Sequence, residues 1–295
     1  MPTVRTNDVE TYYERRGSGP VVLFVHAAII DHSQWDPQVE RLCDEYTTIA
    51  YDLRGHGRTG GSARGAYSID LLADDLDALV TALGLDRPVV CGLSTGGCIA
   101  QVFAAIHPDR LSGLVLADTF SPELFDRREW FQRSLLLRAT IPPTRLVGYE
   151  RVEKALVRLQ ELIEGTRAGG DYRKVEELRR EGPGMTTDEF AKVIRAVASF
   201  HETTVDLSSI AVPTLVLYGE EEPLFVRRHA PTLGAEIPNA TVREVPGAGH
   251  ASNLDDPEFF TDAVRELLAQ AYPTDRATDR ARPRAFCRPA RNRRT

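Results

Sequence analysis

The chain has 295 residues, 42% hydrophobic and 27% charged, a composition typical of a globular protein and not of a fibrous or wholly disordered one. No apolar run approaches the ~20 residues of a membrane helix, and the N-terminal stretch MPTVRTNDVETYYERRG lacks the apolar segment of a signal peptide. These features predict a cytoplasmic protein without a membrane partner.

Charge is unevenly distributed along the chain. Residues 273–295 contain eight arginines and two aspartates, a net charge of +6, which leaves −13 on residues 1–272 of a chain whose total is −7. A segment this poor in large apolar residues is typical of disorder. Arginine-rich segments can bind nucleic acid non-specifically, but the acidic remainder of the chain offers no support for such a partner. We predict a disordered arginine-rich tail.

Short β-branched runs bounded by turn residues recur along the chain and predict strands. Most of these runs are apolar on both faces, as strands covered on both sides of a sheet must be. The predicted strands are residues 21–26, 47–53, 88–93, 111–118, 213–219 and 240–247.

Helical patterns lie between these strands. Residues 68–84 begin with Ser68 as a candidate cap, and residues 256–271 place Asp256 before a proline at the first helical position. A third pattern follows Ser94 and is closed by Pro108. This alternation predicts an α/β fold with a mainly parallel, doubly wound sheet and right-handed crossovers.

Residues 120–207 interrupt the alternation, because this segment has helical patterns and no strand candidate. Thr186 and Glu189 in it form a capping-box pattern. We predict a helical cap (120–207) inserted into a core formed by residues 1–119 and 208–272. A cap above the carboxyl edge of the sheet would cover the place where open α/β sheets bind ligands. The alternative is an insertion that has only a structural role.

One serine lies at the point where a predicted strand runs directly into a helix. The sequence there is Gly92-Leu93-Ser94-Thr95-Gly96. Such a tight strand-to-helix turn exposes the serine hydroxyl and requires small neighbours, and the helix N-terminus offers unpaired N–H groups. We therefore predict that Ser94 is a nucleophile.

A serine nucleophile needs a general base. Among seven histidines, His250 is the best placed, because it follows the last predicted strand in the glycine-containing stretch VPGAGHASNLDDP. His56 lies in a glycine-rich turn and is predicted to be structural, and His32 is the next candidate.

Together these motifs resemble the α/β-hydrolase fold, in which the catalytic residues follow the chain order serine, acid, histidine. The resemblance covers roughly residues 10–270. It rests on the stretches VVLFVHAAIIDHSQWDPQ, IAYDLRGHGRTGGS, VVCGLSTGGCIA, PTLVLYGEEEPLF and VPGAGHASNLDDPEFF.

The resemblance implies an acid three residues after the glycine that ends the strand at 213–219. Glu222 occupies that position, where relatives usually have aspartate, and it follows two further glutamates. Asp118, at the end of another strand, is one alternative, since some relatives carry the acid there. Glu220 and Glu221 are the others, because the register among the three adjacent glutamates stays open.

The resemblance also implies an oxyanion hole formed by the backbone N–H groups of Ala28 and Thr95. Relatives usually have His-Gly at the first of these loops, whereas this chain has alanine at positions 27 and 28.

Serine at position 94 indicates acyl transfer, whereas aspartate there would indicate a dehalogenase or an epoxide hydrolase. We predict a serine hydrolase of small esters or lactones, with a pattern similar to that of 3-oxoadipate enol-lactonases. A carbon–carbon bond hydrolase, a cofactor-free haloperoxidase-like enzyme and a non-catalytic ligand-binding relative remain alternatives.

No nucleotide loop and no residue set with metal-ligand spacing occurs, so no cofactor and no metal are expected. The four cysteines are predicted to be reduced and not catalytic. The candidate pocket walls are Trp35, Trp130, Phe131 and Phe200, and the sequence leaves the oligomeric state open.

Overall fold

The computed structural model describes residues 2–165, 167 and 169–273. In these residues eight strands form one sheet in the order β1-β2-β4-β3-β5-β6-β7-β8. The predicted disordered tail lies, apart from its first residue, outside the described residues. The strands are β1 (Thr3–Thr6), β2 (Val9–Arg16), β3 (Val21–Val25), β4 (Thr47–Tyr51), β5 (Val89–Leu93), β6 (Gly113–Ala117), β7 (Thr214–Gly219) and β8 (Ala240–Val245).

The sheet is parallel from β4 to β8 and antiparallel at its N-terminal edge, where β1 pairs with β2 and β2 with β4. Every residue of β4, β5 and β6 is buried, as the two-sided apolar pattern predicted. The hairpin of β1 and β2 was not predicted, because its strands carry many charged and half-exposed residues. It is an additional finding of the structure.

Helices cover both faces of the sheet. They are α1 (Asp36–Leu42), α2 (Ile69–Ala82), α3 (Thr95–Ile106), α4 (Arg127–Trp130), α5 (Leu137–Ala139), α6 (Ile141–Val147), α7 (Tyr149–Glu164), α8 (Tyr172–Glu181), α9 (Thr187–Ala198), α10 (Leu224–Glu236), α11 (Ser252–Asp255) and α12 (Pro257–Ala271). None of the helices in the described ranges is long and apolar enough to cross a membrane. A π-helical stretch, Phe131–Leu136, joins α4 to α5, and short 3-10 helices lie at His32–Trp35, Pro108–Arg110, Phe200–Glu202 and Leu207–Ser209.

The core is divided between the two faces. One apolar cluster packs α2, α3 and α10 against the sheet, and the other packs α1 and α12 against its opposite face. The prediction of a doubly wound, mainly parallel α/β sheet is therefore confirmed.

The predicted caps begin their helices as expected. The Ser68 hydroxyl accepts a hydrogen bond from the Leu71 N–H at 3.1 Å, and the Asp256 carboxylate accepts one from the Phe259 N–H at 3.0 Å. Such caps satisfy backbone donors that have no partner inside the helix.

Between β6 and β7 the described residues form helices and no strand. A buried ionic cluster fastens the first of these helices to α10: Glu129 accepts hydrogen bonds from Arg133 at 2.8 Å and from His229 at 2.6 Å. All three side chains are at most 4% exposed. The division of the chain at residues 119 and 208 remains a prediction.

Two cysteines, Cys91 and Cys98, are buried free thiols. The prediction of reduced cysteines is confirmed for these two, and Cys287 lies outside the described residues.

Candidate active site

Ser94 lies at a sharp turn between β5 and α3. Its φ of +54° and ψ of −115° are rare for a residue with a side chain. The turn is tight because strand and helix nearly touch: a Cβ on Gly92 would lie 2.2 Å from the Gly96 carbonyl oxygen, and a Cβ on Gly96 would lie 2.1 Å from that of Val25. The close packing of the strand against the helix holds Ser94 in this strained conformation, as is common at functional sites.

The turn brings Ser94 to His250, a residue that lies 156 positions further along the chain. The Ser94 hydroxyl is 2.9 Å from His250 Nε2, and His250 Nδ1 is 2.9 Å from Glu222 Oε2. Glu222 is fully buried, whereas the His250 side chain is 38% exposed. The structure therefore brings together the three residues that the sequence nominated as nucleophile, base and acid.

Glu222 is the only one of the three consecutive glutamates that reaches this histidine. Glu220 is exposed, and its carboxylate accepts a hydrogen bond from the Gly247 N–H at 2.8 Å. Glu221 turns outward, and its carboxylate accepts one from the Arg167 N–H at 3.1 Å. Of the three side chains on the loop after β7, Glu222 is thus the one that points inward to His250.

Asp118 lies close by but does not contact the imidazole. One of its carboxylate oxygens accepts a hydrogen bond from the Gly219 N–H at 3.2 Å, and the other accepts one from the Ser252 N–H at 2.9 Å. Burial raises the pKa of this carboxyl, and the nearby Glu222 raises it further. Asp118 therefore links the loop that carries Glu222 to the loop that carries His250.

The loop that holds Ala28 is fixed by buried side chains of the core. The Ala27 N–H donates to Gln34 Oε1 at 2.9 Å, and His26 Nδ1 is 2.7 Å from the Ala27 carbonyl oxygen. His56 Nε2 accepts a hydrogen bond from the Ile29 N–H at 3.3 Å, in line with its structural interpretation. Sequence reasoning missed His26 and Gln34, because neither lies in a pattern that marks a function.

Two backbone donors beside Ser94 and the cavity have no protein partner among the described residues. Within the described ranges, the N–H groups of Ala28 and Thr95 donate to no other protein group. Thr95 is the first residue of α3, where the positive end of the helix dipole also favours negative charge. Free donors of this kind can bind an oxyanion.

A cavity of about 190 Å³ opens beside His250. Its wall on the core side includes Leu93, Ala27 and Ala28, and its opposite wall is formed by side chains of α7 and α8. The residues from these two helices are Glu153, Val157, Gln160, Tyr172, Val175 and Arg179.

A family model described as the alpha/beta hydrolase fold matches residues 20–257 of this chain. The chain belongs to the α/β hydrolase family. The predictions of the family and of a hydrolytic enzyme are thereby confirmed.

Known proteins resemble this α/β hydrolase over most of its length. 3-Oxoadipate enol-lactonase 2 of Acinetobacter baylyi is 26% identical over 270 residues, which cover 90% of this chain and 96% of the relative. The structure of a thermophilic esterase from Thermogutta terrifontis is 27% identical, with a TM-score of 0.73 and coverage of 92% of this chain and 99% of that one. The enol-lactonase from Burkholderia xenovorans is 25% identical, with a TM-score of 0.73 and coverage of 91% and 100%.

The four aromatic residues predicted as pocket walls do not line the cavity of this α/β hydrolase. Trp35 and Phe200 are fully buried in the core, and Trp130 and Phe131 are about half exposed on the cap. The prediction is wrong because aromatic residues in helical patterns serve the core or the surface more often than a pocket.

His32, the second histidine candidate, belongs to a buried ionic group and not to the Ser94 site. Its Nδ1 is 2.6 Å from Asp52 Oδ1, and its Nε2 is 3.5 Å from Glu14. Burial disfavours the charged imidazole, but these carboxylates raise the pKa of His32 to about 10. In the described residues, His32, Asp31 and Asp52 form the one cluster with metal-ligand spacing, and a metal there would have to displace the imidazole proton.

The pKa of His250 makes the pH dependence of this α/β hydrolase testable. Burial disfavours the charged ring, but the Glu222 carboxylate outweighs burial and raises the pKa of His250 to about 9. A general base must be neutral, so we expect kcat/KM for an ester to rise about tenfold per pH unit up to about pH 9 and then level off. Circular dichroism at each pH is the control for folding. A plateau that begins near pH 6.5, the ordinary range of histidine, would contradict this expectation.

Proposed function

We propose that this α/β hydrolase cleaves small carboxylic esters or lactones through an acyl-enzyme. Ser94 Oγ attacks the carbonyl carbon while His250 Nε2 takes the hydroxyl proton, and Glu222 stabilises the imidazolium that forms. The N–H groups of Ala28 and Thr95 donate to the tetrahedral oxyanion, each an effect of roughly 3–4 kcal/mol in comparable enzymes.

The first half of the reaction ends when the carbon–oxygen bond to the leaving alcohol breaks and His250 returns the proton to that oxygen. In the second half, His250 takes a proton from water, and the resulting hydroxide attacks the acyl carbon. The bond from that carbon to Ser94 Oγ then breaks as His250 returns the proton to Oγ, which releases the acid. A lactone follows the same path, except that alcohol and acid remain in one product molecule.

One observation carries the proposal: the Ser94 hydroxyl is 2.9 Å from His250 Nε2, with Glu222 hydrogen-bonded to the opposite nitrogen. A nucleophile, its base and an orienting acid in hydrogen-bond contact are the arrangement that acyl transfer needs. The same contact argues against a ligand-binding relative without turnover, because such a protein has no use for an activated serine.

The substrate class is supported by the cavity and by the relatives. A cavity of about 190 Å³ is only somewhat larger than one that holds a benzene molecule, about 150 Å³. Relatives that are 25–27% identical include two enol-lactonases and an esterase. Carbon–carbon bond cleavage and haloperoxidase-like activity remain alternatives on the same residues, with no observation that favours either.

A panel of esters and lactones tests the proposal. We expect p-nitrophenyl acetate and butyrate to be hydrolysed with a higher kcat/KM than the decanoate, because the cavity walls limit the acyl chain. Hydrolysis of small γ-lactones, measured by the release of protons, extends the panel to ring opening. Absence of hydrolysis throughout, together with no labelling by a fluorophosphonate probe, would refute the proposed function.

A further inference from the structure

Ile29, the residue that follows the oxyanion donor Ala28, has a strained backbone. Its φ is +57°, in the left-handed region, where a β-branched residue is a genuine outlier. Such a conformation persists only where neighbouring groups hold it. Both backbone groups of Ile29 are held: His56 accepts from its N–H at 3.3 Å, and Arg179 Nε donates to its carbonyl oxygen at 2.9 Å.

The second of these bonds comes from the cap and crosses 150 positions of sequence. Arg179 lies on α8, and its side chain is 7% exposed. In the described part of the chain, it is the only cap residue that hydrogen-bonds residues 26–30. The core therefore hydrogen-bonds this loop through His26, Gln34 and His56, and the cap hydrogen-bonds it through one guanidinium. The Ile29 side chain also packs against an apolar cluster of the cap, formed by Ile141, Phe190, Ala191 and Ile194.

The guanidinium is itself held in place by two other cap residues. Its Nη2 donates to Glu153 Oε1 at 2.9 Å, and its Nη1 donates to the Tyr172 hydroxyl at 3.1 Å. This leaves the Nε–H for the Ile29 carbonyl, so the planar guanidinium donates to Ile29, Glu153 and Tyr172 at the same time. Arg179 also lines the cavity beside Ala28 and His250.

We propose that Arg179 is a positioning residue for the oxyanion hole, an inference that rests on the proposed ester or lactone hydrolysis. Holding the Ile29 carbonyl keeps the Ala28–Ile29 segment in its strained conformation and so keeps the Ala28 N–H directed at the developing oxyanion. The hole is complete only when α8 is seated on the core.

Arg179→Met is the direct test, because methionine retains the apolar stem and removes every donor. We expect kcat for p-nitrophenyl butyrate to fall roughly 10- to 100-fold, less than the loss of about 10²–10³ that follows removal of an oxyanion donor. KM should change by less than about threefold, because a tetrahedral oxyanion exists only in the transition state. The rate of fluorophosphonate labelling should fall by a similar factor, since that reaction also places an oxygen in the hole.

Arg173→Met is the matched control, because Arg173 lies on the same helix, is 84% exposed and pairs only with Asp171 in the described residues. Arg179→Lys covers the possibility that the methionine variant does not fold. Lysine should stay with Glu153, since a bond between two opposite charges is stronger than one from the same ammonium to a neutral carbonyl. The lysine variant should therefore keep the melting temperature near that of the wild type and still lose kcat.

The outcomes separate the inference from the proposed function. If the wild-type protein neither hydrolyses esters or lactones nor reacts with the probe, both the proposed function and the positioning role of Arg179 are wrong. An active wild type with full kcat in both the methionine and the lysine variants overturns the positioning role alone. A rise in KM at unchanged kcat would also overturn it, because it would make Arg179 a substrate contact.

Discussion

Replacing Ser94 with alanine is expected to lower kcat for a short ester by about 10⁶, the loss found when a triad serine is removed. The variant should also fail to react with a fluorophosphonate probe, because the attacking oxygen is gone. The loss should appear in kcat and not in KM, since the serine hydroxyl contributes little to binding of the intact substrate. Initial rates and gel fluorescence measure the two effects.

Ser121→Ala is the matched control, because Ser121 is also hydrogen-bonded to a histidine. Its hydroxyl is 3.0 Å from His229 Nδ1, and His229 Nε2 is in turn 2.6 Å from Glu129. This second serine–histidine–glutamate set is fully buried and does not line the cavity. We expect full esterase activity in Ser121→Ala. Turnover that survived in Ser94→Ala and disappeared in Ser121→Ala would reverse the assignment.

Glu222→Gln should lower kcat by about 10⁴, because a neutral amide no longer stabilises the imidazolium and favours the wrong tautomer of His250. The rise in the pH profile should also move toward lower pH, since the carboxylate is the group that raises the pKa of His250 to about 9. A profile that keeps its midpoint near pH 9 in this variant would show that another group sets the pKa.

Asp118→Asn distinguishes the two candidate acids. Asparagine can still accept a hydrogen bond from one of the Gly219 and Ser252 N–H groups, but it turns a donor toward the other. We expect a loss of stability of about 1–3 kcal/mol and a decrease in kcat of no more than about tenfold. A larger loss of kcat than in Glu222→Gln, measured on folded protein, would transfer the role of acid to Asp118.

The fold and the central residues of the site were predictable because they depend on short local patterns. Gly92 and Gly96 flank Ser94 for a steric reason that the structure makes explicit, since either Cβ would lie within about 2.2 Å of a backbone oxygen. His250 was predictable because chain order and the position of a strand end place it at the same sheet edge.

The remainder of the site depends on contacts between distant segments. Nothing near Arg179 or Gln34 in sequence indicates that they reach one loop from opposite sides of the site. The resemblance favoured Glu222 among the glutamates at 220–222, but only the structure shows which of these neighbouring side chains points to His250. Burial of Trp35 and Phe200 is likewise decided by packing that no local pattern reveals.

The contacts that fasten the predicted cap to the core end in different places. The buried cluster at α4 reaches the core through His229 of α10, which lies 2.6 Å from Glu129. The contact at α8 reaches the core through Arg179, whose 2.9 Å bond ends on Ile29, beside the oxyanion donor. A bulky molecule that departs by displacing α8 would therefore momentarily dismantle the oxyanion loop, whereas displacement of α4 breaks no hydrogen bond to residues 26–30 in the described part of the chain.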